Sequence, residues 1–257
     1  MDPDLADGLR DGESIVGNWV SIGHPTVAEV NGIVGFDFVL IDTEHSATGI
    51  ETVAELVRAL QYGSAPAPIV RVGGNDPVEI KRVLDIGVAG VMVPMVNTVA
   101  EAEAAVRAMR YPPEGIRGVA GGRATGYGSE FEEYVATAND ALVTIVQVES
   151  EEGVENAEGI AAVEGVDALF VGPSDLSTSL GVAGEWESAV LEEAMEHVIE
   201  ATEGTNTAVG SLALSEEDVE RWMELGFDFL IVGTDTRYLI QGAAELKAAF
   251  EEAAGDE

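Results

Sequence analysis

The chain has 257 residues, with 48 acidic side chains against 12 basic ones and a formal net charge of −36. Hydrophobic residues make up 46% of it, enough for a sizeable core, which excludes the disordered class that so high a charge would suggest. The field repels nucleic acid and anionic membranes, and the scattered basic residues form no patch to overcome it. The absence of cysteine excludes disulfides, thiolate nucleophiles and cysteine-held zinc.

In chain order, Met1 to Ser14 carries acids and glycine where a signal peptide needs a basic flank and an apolar run. Short apolar runs follow at Ile15–Val20, Phe36–Ile41, Pro68–Val72, Gly90–Val93, Leu142–Val148, Ala168–Val171, Ala208–Leu212 and Phe229–Val232. Each is nearly continuous rather than alternating, the pattern of parallel strands buried on both faces. Helical patterns separate them. Asp76-Pro77-Val78-Glu79 predicts an N-cap, a proline at the first helical position and a capping-box acid. Thr98 with Glu101 predicts a second capping box, and Ser215 opens a third helix. Gly87 and Gly226 stand where helices should end.

Tyr111–Tyr127, rich in proline and glycine, is too long for a plain connection and is expected to be functional or disordered. The acidic tail, about 251–257, reads as a frayed helix end. Eight strands alternating with helices predict a single-domain (β/α)8 TIM barrel over 1–257. An open doubly wound sheet is the alternative, but no G-x-G-x-x-G follows the first strand and no Walker loop occurs. No apolar stretch reaches the length of a membrane span. The expected setting is the cytoplasm. An acidic chain with only Lys81 and Lys247 suits a halophile's concentrated salt, where self-repulsion is screened to about 3 Å at 1 M.

A barrel carries its site at the C-terminal ends of the strands. There lie Asp42-Thr43-Glu44-His45, Arg71, Gln147-Val148-Glu149, Gly172-Pro173-Ser174-Asp175 and Gly233-Thr234-Asp235. Glu149 and Asp175 come from adjacent strands and could share a hard cation such as Mg²⁺ or Mn²⁺. They could equally cap helices, Asp175 the turn through Leu176–Ser179, with Ser150 opening the helix after Glu149. His45 is flanked by acids that would orient an imidazole as a base; it could also be an ordinary loop histidine. His24, before Pro25, is a further candidate, whereas His197 falls mid-helix. Arg71 at a strand end needs an anion, either a substrate or a barrel carboxylate. Neither lysine stands at a strand end, which argues against imine chemistry.

Several runs carry a family resemblance: Leu40-Ile-Asp-Thr-Glu-His45, Arg71 with Asn75-Asp76-Pro77, and Val93-Pro-Met-Val96. Arg110-Tyr-Pro-Pro-Glu-Gly-Ile-Arg-Gly118, Val146-Gln-Val-Glu149, Val163-Glu-Gly-Val-Asp167 and Phe170-Val-Gly-Pro-Ser-Asp-Leu176 complete it. From about Ile15 to about Phe250 the chain resembles the HpcH/HpaI aldolases, the class II pyruvate aldolases that include 4-hydroxy-2-oxoheptanedioate aldolase. The resemblance implies retro-aldol cleavage of a 4-hydroxy-2-oxo acid to pyruvate and an aldehyde. It implies that Glu149 and Asp175 hold a divalent metal, Mg²⁺ or Mn²⁺ with Co²⁺ also acceptable, on which pyruvate binds through its carboxylate and keto oxygens. Gly172, Ser174 and Gln147 are then expected to contact substrate, Arg71 to stabilise the enolate, and His45 to take the C4 hydroxyl proton. Trp19, Leu212 and Arg123 are expected around the substrate.

Asp85 matches the family acid paired with the histidine. It ends the helix after the third strand, toward the opposite face, so the pairing would need a tilted helix or a second subunit. Asp42 is the alternative partner. The loop Val119–Gly128 departs from the heptanedioate aldolases and is expected to shape the aldehyde pocket. The resemblance also implies a homo-oligomer, a hexamer built from dimers that exchange the C-terminal helix within Thr236–Phe250. Two other functions compete. Carbon–carbon chemistry on a CoA ester, as in citrate-lyase-like relatives, would call for phosphate-binding basic residues, which are sparse. A catalytically silent binding barrel would need none of His45, Arg71, Gln147, Glu149 and Asp175.

Overall fold

The structure is a computed structural model that describes residues 4–255. Helix α1 (Asp4–Arg10) precedes strand β1 (Ile15–Val20). Then follow α2 (Pro25–Val34), β2 (Phe38–Asp42), α3 (Ile50–Ala59), β3 (Ala67–Arg71), α4 (Pro77–Leu84), β4 (Gly90–Val93) and α5 (Val99–Met109). The second half comprises α6 (Phe131–Ala141), β5 (Val143–Val148), α7 (Glu151–Glu155), α8 (Ala157–Ala161), β6 (Ala168–Val171), α9 (Pro173–Ser179), α10 (Ala189–Thr202), β7 (Ala208–Ala213), α11 (Glu216–Leu225), β8 (Phe229–Thr234) and α12 (Asp235–Ala254). The eight strands pair in chain order, all parallel, and β8 closes on β1. The expected (β/α)8 barrel is the observed one.

The continuous apolar runs are explained by two cores on the two faces of each strand. Val39, Ile41, Val70, Val91, Val146 and Leu169 face outward and pack under the helices. Phe38, Leu40, Ile69, Met92, Ile145, Phe170 and Phe229 face inward and fill the lumen. Both faces exclude water, so neither needs polar residues. The filling alternates large with small: a Cβ at Gly17 would lie 2.2 Å from the Phe38 ring, so β1 keeps glycine there. Leu5, Ala6 and Leu9 of α1 join the lumen cluster with Ile15, Ala67, Ala89 and Val143, which begin or precede strands. The N-terminal end of the barrel is thereby plugged, and the C-terminal end is left for a site. Arg10 ties the plug down by donating to Asp167 at 2.7 and 3.0 Å.

The N-caps form at the three helix starts singled out in the sequence. Asp76 accepts from the N–H groups of Val78 and Glu79, the Thr98–Glu101 capping box is complete, and Ser215 accepts from Asp218 N–H. Glu79 differs from expectation: its carboxylate accepts from Gly73 N–H at 3.1 Å instead of closing a capping box. Gly226 ends α11, while Gly87 lies two residues beyond the Asp85 cap of α4. The Tyr111–Tyr127 segment is ordered, pinned by the fully buried Arg117 between the rings of Tyr111 and Tyr134, with its guanidinium 4.5 and 5.6 Å from their centroids. The tail does not fray at 251, because α12 continues to Ala254; Asp256 and Glu257 lie outside the described residues. Among the described residues no helix is long and apolar enough to cross a membrane.

Candidate active site

Parallel pairing aligns Asp42 of β2 directly beside Arg71 of β3, at the C-terminal ends of both strands. Asp42 is 2% exposed, and its Oδ1 accepts from Arg71 Nε at 2.9 Å. The same oxygen accepts from the Glu44 N–H at 3.0 Å and the His45 N–H at 3.4 Å, which folds the loop back over the arginine. Glu44 Oε2 then lies 2.8 Å from Arg71 Nη1. The guanidinium also rests on the Trp19 ring, 4.4 Å from its centroid. Arg71 is therefore held on Nε, on Nη1 and on one face. Among the described residues nothing accepts from Nη2, which is not a buried orphan, so this edge opens on the barrel mouth. His45 is largely exposed, with Nε2 3.9 Å from Glu44 Oε2.

Glu149, the first residue after β5, is almost fully buried. It accepts from Met95 N–H at 3.1 Å and from Gln147 Nε2 at 2.9 Å. Burial pushes its carboxyl up to about 7; the Met95 N–H bond and Arg71 oppose that rise, and the nearby charge of Asp175 adds to it. Burial also raises Glu44 above the ordinary carboxylate range, with Arg71 pulling the other way. Gln147 Oε1 is buried without a partner. A Cβ at Gly172 would sit 2.4 Å from Glu149 Oε1, so glycine is what lets β6 approach that carboxylate. Ser174 and Asp175 are exposed in the first turn of α9.

These features fit a hard divalent cation. The donors would be the carboxylates of Glu149 and Asp175, the first costly to bury while unpaired with a cation, beside the orphaned amide oxygen of Gln147. Among the described residues no group of three or more histidines and carboxylates is placed to hold a metal. A cation held by two carboxylates alone would keep its remaining positions open to water or substrate.

Trp19 lies beneath Arg71, and Leu212 is partly buried against the lumen cluster. His24 caps α2, accepting from Thr26 N–H at 3.2 Å. Asp85 and Arg123 lie elsewhere. Asp85 caps the C-terminus of α4 and accepts from Arg117 Nη2 at 3.1 Å. Arg123 Nη1 donates to the Ile86 carbonyl at 2.7 Å. Residues 86–89 lead into the start of β4, so both side chains occupy the N-terminal end of the barrel, away from His45. The physical reason is the return path of α4, which runs antiparallel to its strand. Within one chain, Val119–Gly128 does not line the mouth; Arg123 borders instead a cavity of about 730 Å³ at the opposite end. The partnership of Glu44 with Arg71 is the part of the site that sequence reading missed. Its only signal was the position of Glu44 two residues after a strand-end aspartate.

Residues 16–242 match the family model for HpcH/HpaI aldolase/citrate lyase. The chain belongs to this family. A hydroxypyruvate/pyruvate aldolase from Delftia acidovorans is 44% identical over 237 residues, covering 91% of this chain and 87% of the relative. A 5-keto-4-deoxy-D-glucarate aldolase from Shigella sonnei is 40% identical over 236 residues, 92% of each chain. The crystal structure of an HpcH/HpaI aldolase/citrate lyase family protein from Burkholderia cenocepacia superposes with a TM-score of 0.92 at 37% identity, covering 98% of this chain and all of that one. Membership places this HpcH/HpaI protein among enzymes that make and break carbon–carbon bonds in small molecules.

Proposed function

We propose that this family member is a divalent-metal-dependent aldolase that reversibly cleaves a 4-hydroxy-2-oxo acid into pyruvate and an aldehyde. The observation that carries the reading is the pairing, at one barrel end, of a buried unneutralised carboxylate, Glu149, with a guanidinium held fast on all but one edge, Arg71. Glu149 and Asp175 would hold the metal, which as a Lewis acid would polarise the 2-oxo group of the substrate. The chain's own residues do the rest. In the cleavage direction His45 takes the proton of the C4 hydroxyl, the C3–C4 bond breaks, and its electron pair moves into the enolate of pyruvate. Arg71 stabilises the developing oxyanion through its open edge. A proton delivered to C3 then completes pyruvate. Gly172 and Ser174 take the substrate carboxylate, Gln147 fixes Glu149, and Trp19 and Leu212 form the apolar wall.

The assembly is part of the proposal. Every residue of α12 after Asp235 is exposed, including Leu239, Ile240, Leu246 and Phe250, each at least 66%. A lone helix in water with so much apolar surface is marginal. A second copy of the chain is the natural cover, through exchange of α12 in a hexamer of dimers. Asp85 and Arg123 can serve a mouth only from such a neighbouring copy, and Asp42 is the partner available to the His45 loop within its own chain. The acidic surface suits a cytoplasm of molar salt.

An activity screen tests the reaction. Pyruvate and a panel of short aldehydes are incubated with the protein in molar KCl and Mn²⁺ or Mg²⁺. The expected result is a 4-hydroxy-2-oxo acid, lost on chelation, restored by metal, and formed about 10²–10⁴ more slowly by His45→Ala. No product with any acceptor overturns the reading.

A further inference from the structure

We propose that Glu44 is a positioning residue that sets the orientation of Arg71 and links it to His45 through one carboxylate oxygen. The inference rests on the aldolase reading of the mouth and gives Glu44, expected from the sequence only to flank His45, a role at Arg71.

The geometry carries the argument. Glu44 Oε2 is 2.8 Å from Arg71 Nη1 and 3.9 Å from His45 Nε2, so the same atom faces both. Asp42 already holds Nε, and Trp19 holds one face. Nε makes the guanidinium's hydrogen bond, to Asp42, about which it could rock; the ion pair at Nη1 opposes that motion and leaves Nη2 as the edge open to the mouth. Glu44 is mostly buried, with 18% of its side chain exposed, so the contact is shielded from water and weakly screened. The charges facing the pair are Asp42 on β2, Arg71 on β3, Glu149 just after β5 and Asp175 on α9. Two carboxylates on one guanidinium leave the cluster negative overall. An anionic substrate is therefore held less tightly than Arg71 alone would hold it, in exchange for a fixed donor. Fixed donors act most on charge that develops in the transition state.

That trade gives Glu44→Gln an unusual signature. Removing the negative charge should leave the KM for pyruvate unchanged or lower, while kcat falls about 10- to 100-fold as the donor loses its aim. Glu44→Asp, which keeps the charge on a shorter arm, should recover part of kcat. A merely structural role would raise KM along with the loss of kcat, or show no preference for Asp over Gln. A second readout needs no turnover. In protein labelled with ¹⁵N-arginine, the Arg71 guanidinium signals, assigned with Arg71→Lys, should report slow rotation in wild type and faster rotation in Glu44→Gln. Unchanged Arg71 rotation, or a Glu44→Gln kcat within twofold of wild type, overturns the proposal. If wild type turns over no acceptor, the aldolase reading fails, and the rotation measurement still decides whether Glu44 holds Arg71.

Discussion

Glu149 is the most costly side chain of the site to bury. Its carboxyl sits at about 7 because burial disfavours the charged form more than its hydrogen bonds repay. A folded-state value above the ordinary one means that the folded protein binds a proton the unfolded chain has lost. The contribution to stability is full below the ordinary carboxylate range and is lost as pH rises through about 7. Metal-free Glu149→Gln should therefore be more stable to unfolding than wild type at pH 8, by on the order of a few kcal/mol, with the gain shrinking toward pH 5. Mg²⁺ or Mn²⁺ should restore the wild type's standing. A pH-independent difference would show that burial of charge is not what distinguishes this residue. At this scale the sequence was partly legible. Asp42, His45, Arg71, Gln147 and Glu149 follow from reading strand ends. Glu44 was legible there as an acid flanking His45, but its ion pair with Arg71 was not, since nothing local shows β2 and β3 in register.

Among the elements, helix starts were the most legible feature, because a cap is a bond between residues two or three apart. Thr98 with Glu101 and Ser215 with Asp218 N–H needed nothing from the rest of the chain. Contacts across the barrel were illegible. Arg10 and Asp167 are separated by 157 positions, and neither has a local pattern that names the other. Asp85 was legible, since the end of α4 must return to the opposite end of the barrel, whereas nothing local places Arg123 against the Ile86 carbonyl there. Helix α12 lies between these cases: its apolar residues are visible in the sequence, while their exposure appears only in the fold. If a second copy covers it, light scattering in molar salt should give a multiple of the chain mass. Leu239→Asp with Leu246→Asp should move the protein toward the monomer, with the barrel's circular dichroism retained. A wild-type monomer would defeat the exchange.

For the molecule as a whole, the net charge of −36 falls mainly on the outer helices, while the mouth gathers its own small cluster of carboxylates around Arg71. Both create the same electrostatic problem for an anionic substrate: repulsion at low salt, relieved when the screening length falls to a few ångströms. Thermal stability and kcat/KM for pyruvate should both rise from low salt toward about 2 M KCl. Activity that falls steadily over that range, with the fold intact, would mean that the charge serves some purpose other than life in concentrated salt.

By itself the sequence determined the barrel, the residues that stand at its strand ends and the family, since these are written in runs of adjacent residues and short motifs. The tertiary structure decided which of the acids meet a cation, where Arg123 lies, and how Arg71 is held. Those outcomes depend on strand register and on the direction each helix returns. Both arise from packing between residues far apart in the chain, and no local pattern encodes them.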